Sequence, residues 1–152
     1  MRADGPTDTP MLRDDLPPEV LEFLESMTVP AVLSTMGRAG GPVTSAVWFG
    51  VHEGQVIIST PADRPKAKNA RADARVSFIV DTKTMPYRGV AIEGDAAVVE
   101  DLEKALMAAI ARRYLGPELP PWMSQRMAAN ERVVLRITPR RVRPWNIAAP
   151  AE

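Results

Sequence analysis

From Pro17 onward the apolar positions fall into two periods, one helical and one alternating. Val20, Leu21, Phe23, Leu24 and Met27 recur at helical spacing behind Pro17-Pro18-Glu19, a start that accommodates proline and favours an acid, so the spacing predicts a helix. Ala31 to Met36 reads as a strand. Gly37-Arg38-Ala39-Gly40-Gly41 holds the glycines that a hairpin needs for positive φ, and Pro42 to Phe49 forms the returning strand. A second turn at His52-Glu53-Gly54 leads into the β-branched run Gln55 to Ile58, so three antiparallel strands in succession read as a meander. Arg75 to Val80 is a further strand, and Thr82 to Pro86 a loop. Val90, Ile92, Gly94, Ala96 and Val98 alternate with more polar or smaller residues, as a half-buried strand does. Asp101 is placed to cap a helix whose Leu102, Leu106 and Ile110, with Ala105 and Ala109, form a stripe for core or dimer packing. Trp122 to Asn130 reads as another short helix, with Trp122 anchoring the Pro120-Pro121 loop. Val133 to Ile137 and Val142 to Ile147 read as two closing strands.

Residues 1–15 are polar and carry Gly5, Pro6 and Pro10, which predicts a flexible arm before a single domain over 16–148 and a flexible tail over 149–152. The fold class expected is mainly β with flanking helices. Six or more antiparallel strands argue for a closed or nearly closed barrel, since closure removes the exposed edges that invite aggregation.

Composition narrows the chemistry. The 19 basic and 19 acidic side chains cancel, so no broad electrostatic footprint for nucleic acid exists and any cationic site must be local. The absence of cysteine excludes disulfides, thiolate metal sites and a cysteine nucleophile. One histidine, His52, lies in a hairpin turn, so neither a histidine metal cluster nor a Ser-His-Asp triad can be assembled. No apolar run has the length of a membrane span and no signal-peptide core is present, so a soluble cytoplasmic protein is expected.

The most informative stretch is Ser59-Thr60-Pro61-Ala62-Asp63-Arg64-Pro65-Lys66-Ala67-Lys68-Asn69. It joins an apolar strand to a helix that Asp63 is placed to cap and Pro65 to begin. Two hydroxyls (Ser59, Thr60) and two cations (Arg64, Lys66) then converge at a helix start, where the dipole already favours an anion such as phosphate. Solvated surface charge and ordinary turn chemistry explain the same residues equally well when they are taken alone.

An ordered set of pieces adds to that reading. Pro42-x-x-x-x-Val47-Trp48-Phe49, then Ile58-Ser59-Thr60, Arg64-x-Lys66-x-Lys68-Asn69, Asp73-x-Arg75-Val76, Pro86-Tyr87-Arg88 and Glu93-Gly94-Asp95-Ala96 follow one another along the chain. That order resembles the pyridoxamine 5′-phosphate oxidase-like split β-barrel family, especially its actinobacterial branch that uses the deazaflavin coenzyme F420. The likeness covers about residues 17–147. It implies a six-stranded antiparallel split barrel of the FMN-binding type, homodimeric, with cofactor pockets at the subunit interface. By the same resemblance Ser59, Thr60, Arg64 and Lys66 grip the cofactor phosphate, and Lys68 and Asn69 continue toward its anionic tail. Ser45, Ala46 and Val47 lie against the tricyclic ring, with Trp48 beside it. Tyr87 and Arg88 reach across from the second subunit, and Trp145 walls the pocket. Two departures fall at Ala70, where leucine is common, and at Ser45, where proline is common.

The activity so implied is hydride transfer from a deazaflavin to a small conjugated organic substrate, with the product proton drawn from solvent or from Tyr87 or Arg88. A deazaflavin carries carbon at the reactive ring position, which makes it a two-electron donor. Three alternatives stay open: an FMN-dependent oxidoreductase of the same fold, a non-catalytic carrier of the coenzyme, and a partner-binding barrel. The row Arg64, Lys66, Lys68 and Arg71 favours the longer anionic coenzyme over FMN. No metal, nucleic acid or membrane partner is expected.

Overall fold

A computed structural model describes Thr9–Pro10 and residues 16–147. Most of the expected arm and the whole 149–152 tail lie outside the described residues. The elements run β1 (Thr9–Pro10), α1 (Pro18–Ser26), β2 (Ala31–Met36), β3 (Pro42–Val47), β4 (Gly50–His52), β5 (Gln55–Pro61), α2 (Pro65–Ala72), β6 (Arg75–Asp81), β7 (Gly89–Glu100), α3 (Ala105–Leu115), α4 (Pro121–Ala128) and β8 (Arg132–Trp145). No described helix is long and apolar enough to cross a membrane.

Among the described residues seven strands pair antiparallel in the order β3-β2-β6-β7-β8-β5-β4, and β1 adds two residues beside Arg141 and Val142 of β8. This corrects the expectation of six strands. The returning strand expected over 42–49 is broken at Trp48 and Phe49 into β3 and β4, and the two closing strands are one 14-residue strand, β8. β8 accommodates that length through a bulge opposite Glu93/Gly94, where Gly94 is required because a Cβ would collide with the Thr138 carbonyl. The meander is corrected too: β3 pairs with β2, β4 pairs with β5, and β3 and β4 stand at opposite ends of the sheet. The sheet is therefore open in its hydrogen bonding. Its two ends are nevertheless one continuous chain, because Trp48 and Phe49 carry the backbone from β3 to β4.

The inner face follows strand alternation: Leu33 of β2, Phe78 and Val80 of β6 and Ile92 of β7 are buried, with Val20 and Leu24 of α1 against them. Phe49 is fully buried and meets Phe78 edge to face, ring centroids 5.3 Å apart. β5 reads buried on both sides because α3 covers its outer face, Ile110 packing on Ile57 and Val134. Asp101 holds α3 in place, accepting hydrogen bonds from the Leu106 and Met107 amides at 2.9 and 2.8 Å. The helix begins later than its stripe implied. Leu102 sits in a preceding 3₁₀ turn and is 75 % exposed, so it is not core; Met107, Ile110 and Ala111 form the buried face.

The backbone at Trp48–Phe49 leaves the ladder, and its polar groups find partners on α3. The Phe49 N–H donates to the Tyr114 hydroxyl at 3.2 Å, and that hydroxyl donates to the Val29 carbonyl at 3.0 Å. Arg113 Nε donates to the Phe49 carbonyl at 3.1 Å, while its Nη2 reaches the Met27 carbonyl at 2.7 Å at the end of α1. Tyr114→Phe keeps the ring but leaves the Phe49 N–H and the Val29 carbonyl without this partner. Loss of about 1–2 kcal/mol of unfolding free energy is expected in urea titrations; an unchanged midpoint would show that the crossing does not depend on Tyr114.

Candidate functional site

At the end of β5 the sequence places Ser59 and Thr60 on the strand itself, not in a turn, since β5 continues to Pro61. A tight turn follows, closed by the Arg64 N–H on the Pro61 carbonyl at 3.2 Å. Asp63 lies inside that turn, one residue too early to cap α2; the N-cap is Arg64, and no side chain caps the helix. With Pro65 lacking an N–H, the Lys66 amide at the second helical position has no intrahelical partner. Antiparallel pairing sets Arg132, the first residue of β8, opposite Pro61. Its guanidinium reaches across to the Ser59 hydroxyl, Nη2 donating at 3.1 Å.

These groups line a cleft of about 450 Å³. Its polar side carries Ser59, Thr60, Arg64, Lys66 and Arg132, with Arg126 projecting from α4. The apolar side is made by Ala46, Val47 and Trp48 from the crossing, Met107 from α3, and Trp122 and Met123 from α4. Trp48 stacks on Tyr114 with ring centroids 4.7 Å apart and planes 5° from parallel, so one ring face is already covered.

Burial and mutual repulsion both oppose the charges of the cleft. Burial lowers the Lys66 pKa below the ordinary 10.5, and the neighbouring charges of Arg64 and Arg132 lower it further. Arg132 is lowered by burial and then by Arg126 and Arg64, against the opposing pull of Asp101. Among the described residues, no carboxylate forms an ion pair with Arg64, Lys66, Arg126 or Arg132. Four cations thus line one cleft with no carboxylate among its lining residues, which makes its potential positive.

Other residues singled out from the sequence lie elsewhere. Asn69 is buried and donates from Nδ2 to Thr35 Oγ1 at 3.1 Å, fastening α2 to β2. Lys68 is exposed and outside the cleft lining, and Arg71 donates to the Ala62 carbonyl at 2.9 Å. Ser45 is half-buried on β3 opposite Leu33. Tyr87 is exposed, Arg88 sits 5.6 Å from the Phe23 ring centroid, and Trp145 lies over Gly89; none of the three lines this cleft. Trp122, expected to anchor a loop, lines the cleft instead. Arg126, Arg132, Met107 and Met123 were not identified from the sequence. The four-residue spacing of Trp122 and Arg126 on a helix was the available signal for one of them; Arg132 is found only once β8 is known to pair with β5.

A family model described as pyridoxamine 5′-phosphate oxidase matches residues 16–146. The chain belongs to that family. Among solved structures, the conserved hypothetical protein Rv2991 of Mycobacterium tuberculosis is 33% identical, with a TM-score of 0.74 over 95% of this chain and 96% of that one. An F420 reductase is 25% identical, with a TM-score of 0.69 over 84% of this chain and 98% of its own. General stress protein 26 of Bacillus anthracis, 16% identical with a TM-score of 0.60 over 82% and 89% of the two chains, shares the fold. No curated sequence matches this member of the pyridoxamine 5′-phosphate oxidase family.

Burial, then the charges of Arg64 and Arg132, lower the Lys66 pKa; an anion facing the ammonium favours its charged form, so anion binding is coupled to proton uptake at alkaline pH. Sulfate, a dianion throughout, should bind with steady affinity near neutrality and lose affinity as pH rises through a value below 10.5. Calorimetric titrations check this, and Lys66→Met should abolish the alkaline decline while melting no lower than the parent. A decline that persists in Lys66→Met would assign it to another group.

Proposed function

We propose that this protein is a coenzyme F420-dependent oxidoreductase that transfers hydride between the deazaflavin and a small conjugated organic substrate. The observation that carries the proposal is the run of four cations, Arg64, Lys66, Arg126 and Arg132, within one cleft. A single terminal phosphate, as in FMN, leaves part of that charge unanswered; a phosphodiester with a carboxylate-bearing tail answers more of it. Likeness to an F420 reductase at 25% identity supports the same choice.

The residues present fit such a coenzyme. Ser59, Thr60, Arg64 and Lys66 would hold its phosphate, with Ala46, Val47 and Trp48 along the ring side. When bound, the deazaflavin supplies two-electron hydride chemistry at a ring carbon. The chain contributes position and dryness: Trp48, immobilised on Tyr114, and Met107 and Met123 keep water from that side of the cleft. The chain has no cysteine, and its one histidine, His52, is not among the residues that line the cleft.

The proposal includes a homodimer. Ala46, Val32, Ile79 and Ala91 are aligned across β3, β2, β6 and β7, so an apolar row leads from the cleft onto a sheet face that no described helix covers. Val32 and Ile79 are 37 and 36 % exposed along it. A second copy seated there would bring its Tyr87, Arg88 and Trp145 toward this cleft, with Tyr87 or Arg88 as candidate proton donors beside solvent. Light scattering should give about twice 16.6 kDa; a monomer at micromolar concentration would refute the dimer.

Fluorescence titration of the purified protein with FMN and with the deazaflavin coenzyme tests the cofactor. Tighter deazaflavin binding is expected, weakened roughly tenfold to a hundredfold by Lys66→Ala. Isolation with stoichiometric FMN and no deazaflavin binding would replace this reading with the FMN-dependent one. Tight deazaflavin binding without turnover of any conjugated acceptor would indicate a carrier.

A further inference from the structure

The chain has four lysines, and each meets different surroundings. Lys83 pairs with the Asp81 carboxylate at 2.8 Å, and the Lys104 ammonium donates to the Met127 carbonyl. Lys68 is exposed and lies outside the cleft lining. Of the four, Lys66 alone lines the cleft; it is half-buried, and its ammonium makes no hydrogen bond or ion pair with any described residue. Anion-binding groups stand around this unpartnered amine. Arg64 and Arg132 line the same cleft, and the Arg132 guanidinium is oriented by the Ser59 hydroxyl, Nη2 donating at 3.1 Å. In the first turn of α2 the Ala67 and Lys68 amides both donate to the Arg64 carbonyl at 3.1 Å, and Pro65 has no N–H, so the Lys66 amide is the donor left over. Burial and the two arginines lower the Lys66 pKa, so at a given pH more of it stands as the neutral, nucleophilic amine than for an exposed lysine.

We propose that Lys66 is a site of covalent acylation by acyl phosphates, the mixed anhydrides of a small carboxylic acid and phosphoric acid. Arg64 and Arg132 hold the donor's phosphate, which brings its carbonyl carbon to the Lys66 amine. The amine nitrogen bonds to that carbon, and the bond from carbon to the bridging oxygen breaks with its electron pair left on the phosphate. The proton lost by nitrogen departs on the phosphate, so the products are an amide and hydrogen phosphate, with nothing oxidised or reduced. The arginines favour this step because they stabilise the negative charge that grows on the leaving group. The amide is neutral, so acylation removes one cation from the cleft and weakens its hold on any other anion. The site stands on the cleft alone and does not depend on which coenzyme the protein takes.

The test treats the purified protein with acetyl phosphate and, separately, with N-acetylimidazole, an acetyl donor that carries no phosphate. Peptide mass spectrometry times acetylation at all four lysines, with exposed Lys68 as the internal comparison. Acetyl phosphate should modify Lys66 roughly tenfold faster than Lys68, and N-acetylimidazole about threefold faster or less. The same ratio with both donors, or faster reaction of acetyl phosphate at Lys68, would overturn the proposal. Arg64→Gln and Arg132→Gln should each slow acetyl phosphate at Lys66 by roughly fivefold, and N-acetylimidazole by no more than about twofold. Equal slowing with the two donors would mean that the arginines act on the amine and do not seat the phosphate, which also overturns it. Circular dichroism checks each variant, and the comparison of donors in the parent decides the matter where a variant does not fold. Protein acetylated at Lys66 should bind sulfate roughly tenfold more weakly than the parent, as should Lys66→Gln; unchanged sulfate affinity would overturn the regulatory effect. Failure of the deazaflavin coenzyme to bind would count against the proposed function and leave each of these outcomes as it stands.

Discussion

The peptide between Trp48 and Phe49 is the constraint on which both the barrel and its cleft depend. β3 and β4 pair with opposite ends of the sheet, yet only two residues separate them, so the backbone must cross the barrel end without ladder partners. Buried amides and carbonyls left unpaired cost more than ordinary hydrogen bonds contribute. α3 meets that need with Tyr114 on the N–H and Arg113 on the carbonyl, and Arg113 also ties down the end of α1. The same two residues set the side chains apart. Phe49 turns into the core against Phe78, and Trp48 turns onto Tyr114 and faces the cleft. Asp101, by accepting the Leu106 and Met107 amides in the first turn of α3, thus acts at one remove on the shape of the cleft.

A second tension lies in the cations of the cleft. Lys66 and Arg132 are half-buried and repelled by neighbouring cations, which lowers stability, and selection for stability alone would replace them or supply an acid. The surface of the same protein shows what a satisfied cation looks like. Arg75 meets Asp73 at 2.7 Å and holds its carboxyl down at about 2, a pairing in place without any ligand. Arg140 meets Asp95 at 3.3 Å on β8 and β7. Within the cleft, Arg132 has the neutral Ser59 hydroxyl as its hydrogen-bond partner, and Asp101, which offsets its repulsion, already accepts the α3 amides.

What the sequence made legible was local. Helical spacing located α1, strand alternation located β6 and β7, and glycine turns located both hairpins, because each signal lies within a few residues of itself. The number and order of strands were not legible. Trp48 and Phe49 have strand-like chemistry, and the break between them is imposed by Arg113 and Tyr114 from far along the chain. β8 passes through Thr138 to Arg141 without stopping because β7, kinked at Gly94, pairs with it on both sides of the bulge. The grouping of Ser59, Thr60, Arg64 and Lys66 in one cleft was readable, since they are close in sequence. Arg132 and Arg126 were not, since strand pairing and helix docking bring them there. Asn69 shows the converse: its place in a cationic motif pointed to a ligand, and its amide is spent on Thr35 in the packing of α2.

The two outer faces of the sheet differ, and that difference bears on how much of a working site one chain holds. α3 covers β5 and β8, and with α4 it builds one wall of the cleft, whose cationic end is lined by residues of this one chain. Ala46 belongs both to the cleft and to the apolar row with Val32 and Ile79, which no described helix covers. A planar ring placed against Ala46 and Val47, with its phosphate toward Lys66, would therefore project past the edge of its own subunit. On that placement the phosphate would meet cations of the chain itself, Arg132 half-buried and hydrogen-bonded to Ser59 with Arg64 and Arg126 exposed, whereas the ring would fall at the boundary of the fold. On the dimer reading that boundary becomes an interior, and substrate choice would be set by the residues the second copy brings while cofactor choice stays with the first.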